Sequence, residues 1–110
     1  MVKHCVPCED KTGALDSTAI QASLSNLDGW SLESGDVSKI TKTYSCKSFV
    51  SAVDFVRTVA DIAEEENHHP DMEIHYNSLK FLLYTHSVKG VTENDFIIAE
   101  RIEQVAHLFV

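Results

Sequence analysis

Between residues 48 and 85 the spacing of apolar residues changes period once, and a proline marks the change. From 48 to 66 the apolar positions recur every three or four residues. Phe49, Val53, Val56, Ala60 and Ala63 form one stripe, and Val50, Val59 and Ile62 broaden it. That is the period of an amphipathic helix. From Met72 onward the period is two: Met72, Ile74 and Tyr76 alternate with Glu73, His75 and Asn77, as in a half-buried strand. Pro70 bars continuation of the helix and pushes His69 into extended geometry. A long helix therefore hands over to a strand through Glu64-Glu65-Glu66-Asn67-His68-His69-Pro70-Asp71. Its acidic end opposes the helix dipole, at a cost of a few tenths of a kcal/mol for each carboxylate.

The flanks repeat this grammar. Ile20, Leu24 and Leu27 make a helical stripe over 16–27, with Asp16 or Ser17 as the N-cap and Gly29 as the stop. Trp30 to Glu33 and Lys39 to Ser45 read as strands around a Ser34-Gly35-Asp36 turn. Leu79 to Thr85 reads as a further strand. Thr92-Glu93-Asn94-Asp95 opens a last helix in the manner of a capping box, followed by Ile98, Ile102, Val105 and Phe109. The order is helix, strand, strand, helix, strand, strand, helix. Hairpins joined by helices predict an α+β fold, one four-stranded antiparallel sheet with three helices packed on one face. The 110 residues, 44% apolar, fit a single domain spanning 1–110.

Composition removes several function classes. The net charge of −8 argues against non-specific binding to nucleic acid or to anionic membrane. No apolar run approaches the roughly 18 residues of a membrane span. The start MVKHCVPCED has no apolar core of a signal peptide, so a cytoplasmic location is expected, with an organelle form lacking its transit peptide left open. Cys5, Cys8 and Cys46 are an odd set without a second pair of zinc ligands, and reduced thiols are the simplest reading.

If Asn77-Ser78 is the turn of the second hairpin, then Tyr76 faces Leu79, Ile74 faces Phe81 and Met72 faces Leu83 on a core-directed face. The other face pairs His75 with Lys80, Glu73 with Leu82, Asp71 with Tyr84 and His69 with His86. His69 and His86 then converge away from the helices, with His68 one residue off and Glu64 a helical turn upstream. Three readings stay open. A metal could use His69, His86 and Glu64, although adjacent histidines in an extended chain point to opposite sides. The histidines could be solvated groups at a helix end. Or they could move protons, since imidazole titrates near pH 6.5, a value of about neutrality. Trp30 is expected in the core. His4, His75 and His107 are expected in solvent, and Asp95 is expected to cap its helix.

The set Glu64-x-x-x-His68-His69-Pro70, Tyr76-Asn77, Thr85-His86 and Gly90-x-Thr92-x-x-Asp95 resembles the pterin-4a-carbinolamine dehydratases. Leu27-x-Gly29-Trp30 and Ile102-Glu103-Gln104-Val105-Ala106 extend the likeness, which runs from about residue 18 to the end. The start at Cys5-Val6-Pro7-Cys8-Glu9 is similar to an N-terminal extension of non-animal members, here residues 1–15. The resemblance implies the same α+β fold. It also implies loss of water from a 4a-hydroxytetrahydropterin to give the quinonoid dihydropterin, in support of tetrahydropterin recycling, with no metal and no organic cofactor. Carried over, His68 and His86 become the acid–base pair, His69 binds the pterin and supports catalysis, and Glu64 orients or tunes the histidines. Pro70 and the stretch Thr85, His86, Ser87 and Val88 join them around the substrate. Met72 stands where animal members often carry Trp. A homodimer or homotetramer is implied. The alternative is a non-catalytic interaction module of the same fold, acting as a transcriptional cofactor.

Overall fold

The computed structural model describes residues 14–110. His4, Cys5 and Cys8 lie outside the described residues. The elements are α1 (Ser17–Leu24), β1 (Ser31–Glu33), β2 (Lys39–Ser45), α2 (Phe49–Glu66), β3 (Asp71–His75), β4 (Ser78–Leu83) and α3 (Glu93–Ala106). The expected α+β order is borne out. The strands form one antiparallel sheet in the order β1-β2-β4-β3.

Each helix starts where a short polar side chain can accept a free backbone N–H. Asp16 accepts from Ala19 N at 2.8 Å, and Ser48 accepts from Ser51 N at 3.0 Å. Thr92 and Asp95 close a reciprocal capping box on α3. After α1 the chain turns at Gly29, whose φ of 81° is open to glycine at little cost. The helix α2 ends at Asn67, in the left-handed conformation (φ 53°, ψ 40°) that Asn tolerates. Its acidic end is neutralised by pairing: Arg101 of α3 holds Glu65 and Glu66 at 2.8 Å each.

One apolar cluster lies between the helices and a single face of the sheet. Ile40 and Tyr44 of β2 and Leu79, Phe81 and Leu83 of β4 meet Phe55, Val59 and Ile62 of α2, Ile98 and Ile102 of α3, and Ile20 of α1. Tyr44, Phe55 and Phe81 pack edge-on at 5.1 to 5.8 Å between centroids, and Phe109 stacks on Phe55 at 4.9 Å. Trp30 is buried as expected. Its indole N–H donates to Glu103 of α3, which also accepts from Lys42 and from the Tyr44 hydroxyl. Burial pushes the Cys46 thiol above its ordinary value.

Three expectations are corrected. The helix α2 buries Ala52, Phe55, Val59, Ile62 and Ala63. Phe49, Val50 and Val53, expected within the core stripe, are exposed. The helix is apolar around more than half its girth, and the sheet takes only one side of it.

The second hairpin turns at Tyr76-Asn77 instead of Asn77-Ser78. Its pairs are His75 with Ser78, Ile74 with Leu79, Glu73 with Lys80, Met72 with Phe81 and Asp71 with Leu82. The cause lies on the neighbouring strand. Cys46 N donates to the Asn77 carbonyl at 2.8 Å, and the Asn77 amide donates back to the Cys46 carbonyl at 3.0 Å, so Asn77 extends the β2–β4 ladder. Tyr76 is left to turn the chain, with φ 54°. The pairing of His69 with His86 disappears with the two-residue shift.

The third correction follows from β3 lying at the sheet edge. Met72 is half-buried against the core, but Ile74 is 38% and Tyr76 75% exposed. Leu82 and Tyr84 do lie away from the helix-side cluster, as expected.

Two substitutions test this arrangement. Phe81→Ala removes the ring at the centre of the aromatic cluster and should lower unfolding free energy by about 3–5 kcal/mol in urea titration. Tyr76→Gly relieves a left-handed non-glycine residue and should leave stability unchanged or raise it by up to about 1 kcal/mol. A loss larger than that would contradict the turn at Tyr76-Asn77.

Candidate active site

The handover from α2 to β3 meets the loop between β4 and α3. At Asn67 the chain leaves the helix, and the backbone N–H of His68 still donates to Ala63 O at 3.1 Å. His68 and His69 then point to opposite sides, as neighbours in an extended chain do. His68 turns inward and is 8% exposed. His69 turns outward, with half of its side chain exposed.

Opposite them, Thr85 N donates to Gly90 O at 2.8 Å and Gly90 N returns to Thr85 O at 3.4 Å, closing a tight loop over residues 86–89. Gly90 is required by contact: a Cβ there would stand 2.8 Å from that of Ala14. The loop presents His86 and Ser87 to solvent. The His86 ring leans on Tyr84, with centroids 4.3 Å apart. Between the two segments opens a shallow cleft of about 350 Å³ lined by Asn67, His68, His69, Thr85, His86 and Ser87. Five of these six, all but Asn67, are among the site residues expected from the sequence.

The expected residues fall into place unevenly. His68, His69, His86, Thr85 and Ser87 all border the cleft. His69 and Glu64 form an ion pair at 2.5 Å between Nε2 and Oε2 on the exposed side. Pro70 is buried, Val88 is half-buried, and neither lines the cleft. Thr85 borders it but is 1% exposed, and its hydroxyl is engaged inside the protein. Of the metal readings, His69 and Glu64 do meet, yet no group of three His, Cys, Asp or Glu side chains converges on a common point among the described residues.

The residue underestimated from sequence is Asp95. Its Oδ2 accepts from Thr92 N at 2.9 Å, which is the cap read from the motif, and also from the Thr85 hydroxyl at 2.9 Å. Its Oδ1 faces His68 Nε2 at 2.7 Å. The carboxylate is completely buried. The capping box is visible in the local pattern, but its other partner stands 27 residues upstream, beyond any local pattern.

One proton lies between Asp95 and His68. Two donors on Oδ2 and the N-terminus of α3 favour negative charge on the carboxylate, so the proton belongs on Nε2 of the imidazole. Among the described residues no buried side-chain nitrogen or oxygen lacks a partner, so the remaining His68 nitrogen, Nδ1, is open to the cleft. The arrangement supplies an imidazole of fixed tautomer, a second imidazole paired to a carboxylate, and a third on an exposed loop. Such a set can accept a proton at one point of a small ligand and give one at another.

Known proteins resemble the chain along most of its length. The sequence model of the family described as pterin 4 alpha carbinolamine dehydratase matches residues 13–105. A putative pterin-4-alpha-carbinolamine dehydratase of Herpetosiphon aurantiacus is 44% identical over 91 residues, covering 83% of this chain and 92% of that protein. The pterin-4-alpha-carbinolamine dehydratase 2, mitochondrial, of Arabidopsis thaliana is 41% identical over 106 residues. That match covers 94% of this chain, and this chain spans 57% of the plant protein's length. Among solved structures, the transcriptional coactivator/pterin dehydratase from Brucella melitensis superposes with a TM-score of 0.80 at 34% identity, over 86% of this chain and 99% of that one. A pterin dehydratase-like protein described as a RuBisCO assembly factor in the alpha-carboxysome shares the fold at a TM-score of 0.60 and 18% identity. With a match over residues 13–105 and relatives above 40% identity, the chain belongs to the pterin 4 alpha carbinolamine dehydratase family.

Proposed function

We propose that the protein is a hydro-lyase that dehydrates a 4a-hydroxytetrahydropterin to the quinonoid dihydropterin by histidine general acid–base catalysis. The observation that carries this reading is His68, buried against Asp95 with Nδ1 open to a cleft that it shares with His69 and His86. Membership of the dehydratase family supports the substrate class.

The reaction needs two proton movements. The C4a hydroxyl leaves as water once it gains a proton, and a ring N–H is lost as the C=N bond forms. No electrons change hands, so acid and base suffice, and no metal or organic cofactor enters the scheme. In this reading His68 and His86 are the acid–base pair. His69 lies against the pterin and supports the transfer, with Glu64 as its positioning partner through the 2.5 Å contact. Ser87, and the backbone from Thr85 to Val88, border the substrate, with Pro70 fixing the turn beneath the histidines. The open form of the cleft suits a flat bicyclic ligand.

The proposed setting is the cytosol. Among the described residues no helix is long and apolar enough to cross a membrane. We also propose a homodimer or homotetramer, supported by the exposed Phe49, Val50 and Val53 on α2. That face, and the coactivator named in the Brucella protein, favour one second reading, an interaction module of the same fold. A pure interaction module has no use for a buried His68–Asp95 pair beside a cleft.

The reading is tested by generating the 4a-hydroxytetrahydropterin in situ with a hydroxylase and following its ultraviolet decay in the presence of chelator. Wild type should accelerate the decay. His68→Ala and His86→Ala should each lose a large part of the roughly 10²–10⁴-fold that proton transfer contributes. No acceleration by wild type would remove the catalytic reading and favour the interaction module. Asp95→Asn presents an amide to Nε2 and should move the His68 ring proton to Nδ1. We expect kcat to fall by about 10²-fold or more, with a stability loss of about 0.5–2 kcal/mol from the weakened cap. Unchanged kcat in a folded Asp95→Asn protein would detach Asp95 from the chemistry.

A further inference from the structure

We propose that Thr85 is a positioning residue whose buried hydroxyl helps hold Asp95 as an ionised acceptor, so that neutral His68 carries its single ring proton on Nε2. This inference deepens the dehydratase reading and rests on it for its effect on rate, but not for its effect on the proton.

The argument begins with the direction of a hydrogen-bond chain. The Asn94 backbone N–H donates to the Thr92 hydroxyl oxygen at 3.2 Å. The Thr92 and Thr85 hydroxyls are 2.8 Å apart. The Thr85 hydroxyl lies 2.9 Å from Asp95 Oδ2. A backbone N–H only donates, and an ionised carboxylate only accepts. Each hydroxyl has one hydrogen. The two ends therefore fix the middle: Thr92 donates to Thr85, and Thr85 donates to Asp95. Every member of the chain is buried, so no water competes for these positions.

The consequence falls on His68. Among the described residues, Asp95 Oδ2 receives two donors, Thr85 and the Thr92 backbone N–H, while Oδ1 meets only His68 Nε2. Donors to the carboxylate stabilise its charged form, which leaves the proton on Nε2 and the lone pair on Nδ1 toward the cleft. The Thr92 donor is part of the helix backbone and cannot be removed by a side chain. The Thr85 donor is the adjustable one. Thr85 lies two residues after β4, bridged to Gly90 and immediately before His86. Its hydroxyl thus also ties the segment that presents His86 to the carboxylate that orients His68. A threonine expected among the substrate contacts has its hydroxyl turned toward the protein interior.

The test compares Thr85→Val, which keeps the shape and removes the hydroxyl, with Thr85→Ser, which keeps the hydroxyl and removes the methyl. Nitrogen-15 nuclear magnetic resonance of the imidazoles reads the proton directly. In wild type with neutral histidines, His68 should carry its proton on Nε2. In Thr85→Val, Asp95 should take up a proton from solvent and donate it to Nε2 while the ring proton of His68 moves to Nδ1, so the Nε2 signal should move toward the unprotonated position, kcat should fall by about tenfold, a part of what general acid–base catalysis supplies, and KM should change less than about twofold. Thr85→Ser should recover most of both effects.

A wild-type His68 protonated on Nδ1 would overturn the inference without any variant, even if Thr85→Val did not fold. An unshifted His68 signal in folded Thr85→Val would overturn it too, as would a Thr85→Ser protein as impaired as Thr85→Val, which would assign the effect to packing. Absence of activity in wild type would remove the dehydratase reading, and the resonance positions would still decide the role of Thr85.

Discussion

The carboxylate of Asp95 ties together the three segments that frame the cleft. It caps α3, accepts from Thr85 just after β4, and meets His68 just after α2. Removing an ion from water costs several kcal/mol even after relaxation. Hydrogen bonds to a charged group return about 1.5–3 kcal/mol each. Two donors would roughly balance the cost; three donors and a helix N-terminus exceed it. Each donor therefore helps to offset the burial of the carboxylate. That is why a cap, ordinarily a local device, can govern the state of an imidazole 27 residues away in sequence.

The handover after α2 needs the same economy of means. A helix cannot run into a strand without a residue that reverses the backbone, and Asn67 does this in the left-handed region. Pro70, buried, holds the extended direction that follows. Between these two fixed points are only His68 and His69. Arg101 anchors the last turn of α2 through Glu65 and Glu66, so the start of the handover is fixed from α3, the helix that Asp95 caps. One helix, α3, thus holds both the last turn of α2, through Arg101, and His68, through Asp95.

Much of this was legible in the residues, and the failures share a cause. Element order, helix caps and the core role of Trp30 follow from local period and capping chemistry, which act over a few residues. The hairpin shows the limit. Alternation fixes which residues share a face, and a slide of two positions preserves every face. Register was decided by Asn77 bonding to Cys46, a contact between strands far apart in sequence. The helix α2 shows the same limit in another form: its apolar arc is wide enough for two stripes, and only the position of the sheet selects Phe55, Val59 and Ile62 over Phe49 and Val53. For the site, the motif named three histidines that border one cleft, while the supposed facing of His69 and His86 was an artefact of the shifted register. The binding of Asp95 to His68 depends on tertiary structure and left no local trace.

The two adjacent histidines end up with opposite physical characters. Each pairs with a carboxylate, but the His68 pair is buried and the His69 pair is exposed. Exposed pairs contribute about 0–1 kcal/mol and are screened by salt. The His69–Glu64 contact can therefore open at little cost when a ligand arrives. The His68–Asp95 contact cannot, because opening it would leave a buried carboxylate short of a donor. An extended dipeptide at the rim of a cleft thus yields one imidazole whose proton is held in place and one that can adjust to what binds.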